Sequence, residues 1–464
     1  MKTNHSICSI TILILICSYS VCFGATENSQ DDAVNMILDI LRSDDQQMQT
    51  VAISMIRDLK GTEVTKVLAR ELSNLSVTSQ VQLLSALGDR GDSVALPEVI
   101  NAIKADEESV RIAALKALGK LGDASNVNLL AKTAASTQGQ EQKAARDSLN
   151  RLRGPGVDEA ILESIPKVEA KIKIELIGSI GERNITEGIS VLLNTAKDSD
   201  SKIRVESFRA LKLIAGPEHL PTLVDILTTL TSSSEINEAQ VTIAAVAQKI
   251  EDKNRRSEAI LTTLAATKDV QSRCSLLGVL GKIGDDNSLP VLIGALKDEN
   301  ADVKAAAIRA LTEWPTTEPL PDLMQVAESS ESKIHRILAL RGVVYLLRLE
   351  RRRPAEESIE IYRKAMDLAP DASEKKRVLS GLAEVRSLGA LQIAMDYLDD
   401  ETLCKEAELA VVEIAGNIYR NFPEQATDVL KTIVQDSNND MVRKEAQETL
   451  NQIDGFLKFR ETIR

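Results

Sequence analysis

A chain of 464 residues, 43% of them hydrophobic, has ample apolar material for a large folded body. Its formal net charge of −13 argues against a general nucleic-acid binder, which needs a basic footprint on the phosphate backbone. Only 2% of residues are aromatic, so the core must come from Ala, Leu, Ile and Val, and ring platforms for stacking bases or sugars are not expected.

The first two dozen residues stand apart. Lys2 precedes an apolar run from Ile7 to Cys22, and Cys22-Phe23-Gly24-Ala25 offers a small-residue exit. This is the pattern of a secretory signal cleaved after Gly24 or Ala25; the run is short for a membrane span, and no span is expected once it is removed. Tyr19-Ser20-Val21 is a poor lead-in to a lipid-modified Cys22. Removal takes one lysine and no acid, moving the charge from −13 to −14, and predicts an exported, periplasmic or secreted, protein. Cys8, Cys17 and Cys22 lie in this segment. Cys274 and Cys404 remain, separated by several repeats, and are expected as buried small hydrophobes without a disulfide.

Residues 25–31 read as a polar, disordered leader. A first helix is expected over Asp32–Leu41 and a second over Gln47–Leu59, closed by Gly61. From there the chain repeats. Between Ser275 and Leu311, Gly281 and Gly284 close one helix, Leu289-Pro290 opens the next, and Lys297-Asp298 turns into a third from about Asp302. Leu-Pro recurs at Leu96-Pro97, Leu220-Pro221 and Leu320-Pro321, and the interval from Pro97 to Pro221 is four times the step from Pro290 to Pro321. A fixed period near thirty with paired helices is the mark of a stacked solenoid. Within one unit Val110, Ala114, Leu115 and Leu118 share a face at helical spacing, as do Ile203, Phe208, Leu211 and Ile214. An acidic turn and a Val-Arg-like pair announce many second helices: Asp106 with Val110-Arg111, Asp200 with Ile203-Arg204, Asp440 with Val442-Arg443. Gly154-Pro155-Gly156 is an ordinary inter-repeat loop, because the spacing continues through it.

Val110-Arg111, Ala113-Ala114-Leu115 and Ala117-Leu118-Gly119-Lys120-Leu121-Gly122-Asp123 together resemble a HEAT-like repeat of the type named after phycobilisome lyases; Asp302-Val303-Lys304 to Ala310-Leu311 resembles it more loosely. The resemblance implies an all-α fold, a right-handed α-α superhelix of about thirteen HEAT-like hairpins over residues 32–454, with second helices lining the concave face. Its exported bacterial form is the expectation here. After Pro354, the residues Tyr362, Ala365 and Pro370 are similar to a tetratricopeptide second helix, although a HEAT pair with longer helices is the preferred reading. The tail, 455–464, is too short for another pair, and Phe456, Leu457 and Phe459 are placed to cover the end of the stack.

Residues able to do catalysis are scarce. His219, in a loop entering a helix, and His335, inside a helix, are far apart in the chain and read as structural. Asp198 with Asp200 and Asp285 with Asp286 fall in turns and read as caps. Trp314 is expected to pack on a neighbouring loop. No catalytic, metal or cofactor site is predicted. The remaining signal is charge: the second helices at 109–121, 139–153, 168–181, 202–214, 270–283, 302–313 and 333–350 hold 21 Lys or Arg against 8 Asp or Glu. Lys116, Lys120, Arg209, Lys212, Lys282, Arg309 and Arg341 are the candidate lining of a basic groove, which would attract an acidic protein segment or an anionic polymer. The expected function is a non-enzymatic scaffold for protein partners; the alternatives are a chromophore lyase or chaperone, implied only by the resemblance, and a regulatory subunit of an exported enzyme.

Overall fold

The computed structural model describes residues 27–43, 45–59, 61–349 and 353–463; the expected signal segment, 1–24, lies outside them. Among the described residues the regular structure is wholly helical, with 26 α-helices and no strand. The chain divides into two compact units at Ala215 and Gly216. The first unit holds six hairpins: α1 (Glu27–Arg42) with α2 (Gln46–Asp58), α3 (Thr62–Arg70) with α4 (Val77–Arg90), α5 (Leu96–Ala102) with α6 (Glu108–Leu121), α7 (Val127–Ser136) with α8 (Gly139–Arg151), α9 (Val157–Ser164) with α10 (Ala170–Glu182), and α11 (Ile189–Thr195) with α12 (Ser201–Ile214). The second holds seven: α13 (Leu220–Leu227) with α14 (Ser233–Ala247), α15 (Glu258–Ala266) with α16 (Val270–Ile283), α17 (Ser288–Ala295) with α18 (Ala301–Thr312), and α19 (Leu320–Ser329) with α20 (Lys333–Leu349). It continues with α21 (Ala355–Leu368) and α22 (Ala372–Leu382), α23 (Leu388–Met395) and α24 (Cys404–Ile418), and α25 (Pro423–Asp436) and α26 (Asp440–Ile463).

Thirteen hairpins is the number the periodicity predicts, and each unit is a HEAT-like α-α stack. The apolar stripes face inward as spaced: Val110, Ala114, Leu115 and Leu118 are buried, as are Ile203, Phe208, Leu211 and Ile214. Within each unit the even-numbered, second helices lie side by side, α4 on α6 and α6 on α8, α16 on α18 and α18 on α20. A short amphipathic helix cannot cover its own stripe, so each hairpin relies on the next for burial.

The paired glycines at 88 and 91 and at 281 and 284 turn out to have different work. Gly284 ends α16 in the left-handed region, φ 64°, and Gly91 ends α4 likewise at φ 71°. Gly281 does not close its helix, as spacing alone suggested; it lies inside α16 where α18 crosses closest. A Cβ on Gly281 would stand 2.6 Å from the carbonyl oxygen and 2.7 Å from the Cα of Ala310. Gly88 meets Ala117, Gly119 meets Ser148 and Gly181 meets Ala210 in the same way. In all four, the small partner lies one repeat downstream, at the same offset along the chain.

Other differences from the sequence expectation are local. Helix α1 opens at Glu27, so residues 27–31 of the expected leader are helical. Helix α26 continues through 455–463, the expected tail. There Phe456 meets the Tyr419 ring edge-on, centroids 5.6 Å apart, while Phe459 is 65% exposed and covers nothing. The tetratricopeptide-like stretch is a further hairpin, α21 with α22; Tyr362 is buried and its hydroxyl lies where a Cβ on Gly381 would stand, 2.9 Å away. Cys274 and Cys404 are half-buried free thiols rather than core residues. Trp314 is 2% exposed, and the adjoining Pro315 packs on Gly284.

Gly281→Leu is expected to destabilise the second unit by about 1–3 kcal/mol by forcing α16 from α18. Gly294 is inside α17 with open space around it, so Gly294→Ala is expected to stabilise by up to about 1 kcal/mol. Urea titration followed by circular dichroism measures both, and equal midpoints for the two variants would refute the crossing role of Gly281.

Candidate binding surface on the second helices

Many of the arginines and lysines on the second helices serve the stack itself. Arg111 on α6 donates Nε to Glu141 on α8 at 3.1 Å and Nη2 at 2.9 Å. Arg146 on α8 does the same to Glu175 on α10, at 2.5 and 2.7 Å. Arg341 on α20 grips Glu374 on α22, with Nε 3.0 Å from Oε2. The Glu175 and Glu374 side chains are only 7% and 3% exposed. A carboxylate so far from water is tolerable only with a bidentate partner, which guanidinium geometry provides. Asp89 is shared by Lys120, at 2.6 Å, and Arg57, at 3.0 Å, and Lys282 reaches Glu313 at 2.7 Å. Arg273 meets Asp298 at 2.5 Å, and Lys376 meets Glu406 at 3.0 Å.

The Val-Arg pairs gain a mechanism. Arg111 donates to the carbonyls of Ala105 and Asp106, Arg204 to those of Asp198 and Ser199, Arg336 to that of Ser330 and Arg443 to that of Ser437. Each arginine thus ties the turn just before its helix to the helix itself. The expected aspartate caps hold at Asp200, which accepts from the Lys202 amide at 2.8 Å, but not at Asp106, whose backbone carbonyl is used instead. Asp285 does more than cap: buried, it accepts from the amides of Ser288 and of Ser257, joining two hairpins.

Arg90 and Arg183 form a second kind of brace. Arg90 donates to the carbonyls of Ile56, Leu59 and Gly61 at the end of α2. Arg183 donates to those of Leu149, Asn150 and Leu152 at the end of α8, and to Asp158. Terminal carbonyls lack intrahelical donors, and a guanidinium from the next repeat supplies them.

Of the predicted groove residues, Lys120, Lys282 and Arg341 are therefore spent on neighbouring repeats, and Arg209 pairs with Glu206 on its own helix at 3.3 Å. Lys212 is half-buried. Lys116 and Arg309 are exposed and have no ion pair among the described residues. Sequence reading missed Arg151 and Arg153 as groove members; both are exposed and without an ion pair among the described residues. Lys116 and Arg151 line one depression of about 470 Å³ over α4, α6 and α8, floored by Val81, Ile112, Ala113 and Ala117. Arg151 and Arg153 line a second of about 770 Å³ that shares Gly119 and Lys120 with the first. A third, of about 560 Å³, lies over α8, α10 and α12, where burial pushes the Glu206 carboxyl up beside Gly178.

His219 and His335 belong to separate hairpins. His219 Nδ1 lies 3.3 Å from the Gly216 amide at the entry to α13, and buried His335 Nε2 is 3.0 Å from the Ala301 carbonyl oxygen. Both are satisfied by backbone. No group of three or more His, Cys, Asp or Glu among the described residues is placed to hold a metal ion, and no described helix is long and apolar enough to cross a membrane.

Asp89 is held below the ordinary carboxylate range chiefly by the hydrogen bond from Lys120, and Asp298 by that from Arg273. Both groups thus stabilise the fold above the ordinary carboxylate pKa of about 4, and lose that contribution as pH falls through their lowered folded-state values. Thermal midpoints are expected to fall below about pH 4, and the Asp89→Asn, Asp298→Asn double variant to fall less steeply. Parallel curves for parent and variant would remove these pairs from the account.

Residues 65–150, 229–311 and 257–343 match the HEAT repeats family. No curated protein matches the chain in sequence. The solved structure of the karyopherin Kap121p bound to the extreme C-terminus of the protein phosphatase Cdc14p is similar over 97% of this chain and 57% of that one, with TM-score 0.54 and 12% identity. Kap121p bound to Ste12p (0.53, 11% identity, 95% of this chain and 56% of that one) and bound to Nup53p (0.53, 11%, 92% and 57%) are similar likewise. This chain thus spans little more than half the length of these structures, and at such identity the likeness is one of fold. The matched HEAT repeats fall in both units, and the chain as a whole has a HEAT-like, all-helical fold.

Proposed function

We propose that this chain is an exported, non-enzymatic scaffold that holds protein partners against the faces of its second helices. The observation that carries the reading is the continuous face of α4, α6 and α8, where unpaired cations and an apolar floor are presented on helices braced to one another in every repeat. Side chains fixed in this way lose little freedom on binding, so many modest contacts add up to useful affinity. Kap121p, similar in fold, is seen bound to the extreme C-terminus of Cdc14p, to Ste12p and to Nup53p, and this supports the same use of the fold here. The excess of Lys and Arg on second helices in an otherwise acidic chain supports a partner that is itself acidic on the contacting side. Export is supported by Lys2 and the apolar run from Ile7 to Cys22.

Cross-linking the purified protein in an extract of its source, with mass spectrometry of the products, is expected to place partner cross-links on the second helices. Cross-links confined to the first helices would refute the assigned face. The intact mass of protein recovered from its source is expected to correspond to a start at Ala25 or Thr26; retention of Met1 through Gly24 would refute export by a cleaved signal.

A further inference from the structure

Resting on the scaffold reading, we propose that the groove over α4, α6 and α8 is the specific seat of an acidic peptide segment carrying apolar residues between its carboxylates. Two cations line this groove without an ion pair among the described residues, Lys116 on α6 and Arg151 at the end of α8, and a third such cation, Arg153, lines the adjoining depression that shares Arg151 with it. Only one unpaired carboxylate, Asp147, shares it. The other acid, Asp89, is already neutralised between Lys120 and Arg57.

The floor gives the second half of the specificity. Between Lys116 and Arg151 the depression is bounded by Val81, Ile112, Ala113 and Ala117, and its small residues follow from the close crossings at Gly88–Ala117 and Gly119–Ser148. Close approach of the backbones leaves a shallow apolar trough with cations on its rim. A leucine-sized side chain fills such a trough, and flanking Glu or Asp residues reach the rim. Arg151, the last residue of α8, and Arg153, two residues beyond, present forks suited to carboxylates. Arg309 in the second unit is an exposed cation of the same repeat position and serves as an internal reference for charge alone.

The test uses the full mature chain and a fluorescein-labelled dodecapeptide of Glu and Asp with two central leucines, read by fluorescence anisotropy. Binding is expected to weaken with added salt, and Lys116→Glu with Arg151→Glu to lower affinity by about tenfold or more, while Arg309→Glu changes it by less than about twofold. A leucine-free peptide of equal charge is expected to bind at least about fivefold more weakly. Failure of the acidic peptide to bind, equal losses for Arg309→Glu, or equal binding of the leucine-free peptide would each overturn the proposal. So would inorganic polyphosphate binding as tightly with the same dependence on Lys116 and Arg151. Thermal unfolding of each variant verifies that the groove is still folded; because all three side chains are exposed, the midpoints are expected to match the parent. Partner cross-links that persist on the second helices of the Lys116→Glu, Arg151→Glu variant would sink the groove assignment and leave the scaffold reading standing.

Discussion

Everything in this protein hangs on how near the second helix of one hairpin can come to the second helix of the next. At Gly119, Gly181 and Gly281 the approach is closer than a side chain permits, at Gly88 it is merely tight, and the facing residue is Ala or Ser. Close backbones let short helices, as few as 7 residues in α5 and α11, bury their stripes without large side chains. This is why a chain with so few aromatic residues still has a dense core. It also fixes the relative position of successive second helices, and with it the spacing of whatever they display.

The ion pairs follow from the same geometry. Once neighbouring second helices are in register, an arginine on one lies opposite a carboxylate one repeat on, as at Arg111 with Glu141 and Arg146 with Glu175. These pairs are partly withdrawn from water, where removing one partner is far more damaging than the pair's net worth suggests. Their role is to specify register: a hairpin that slipped by a turn would strand a buried Glu175 or Glu374 without its guanidinium. Arg90 and Arg183 add a different constraint by feeding donors to the open carbonyl ends of α2 and α8. The charge that looked in sequence like a uniform basic lining is for the most part internal wiring.

What is left after that wiring is informative about binding. Several cations on the second helices, Arg111, Arg146, Arg273, Lys282 and Arg341 among them, are neutralised by the next repeat, so the ones without an ion pair carry the electrostatic reach. Lys116 and Arg151 line one depression of the first unit, and Arg151 and Arg153 line the adjoining one. A cation that no carboxylate of the stack neutralises, set beside an apolar floor, is the kind of group that attracts an oppositely charged surface.

Sequence alone determined the helical class, the period near thirty, the number of hairpins and the inward stripes, because these depend on local spacing and on turn residues that act within a few positions. It also held the pairing in a form that spacing analysis can read, since Gly followed by Ala or Ser at one fixed offset recurs at all four crossings. Sequence did not separate the glycine that ends a helix from the glycine that admits a neighbour, because the two stand three residues apart, Gly88 with Gly91 and Gly281 with Gly284, and differ in what lies across from them. Nor did it tell Lys116, which is left free, from Lys120, which is bound to Asp89, although the two stand one turn apart on the same helix. That difference exists only once hairpins are stacked, because the partner of a charge on one repeat is supplied by another, and only the tertiary structure brings them together.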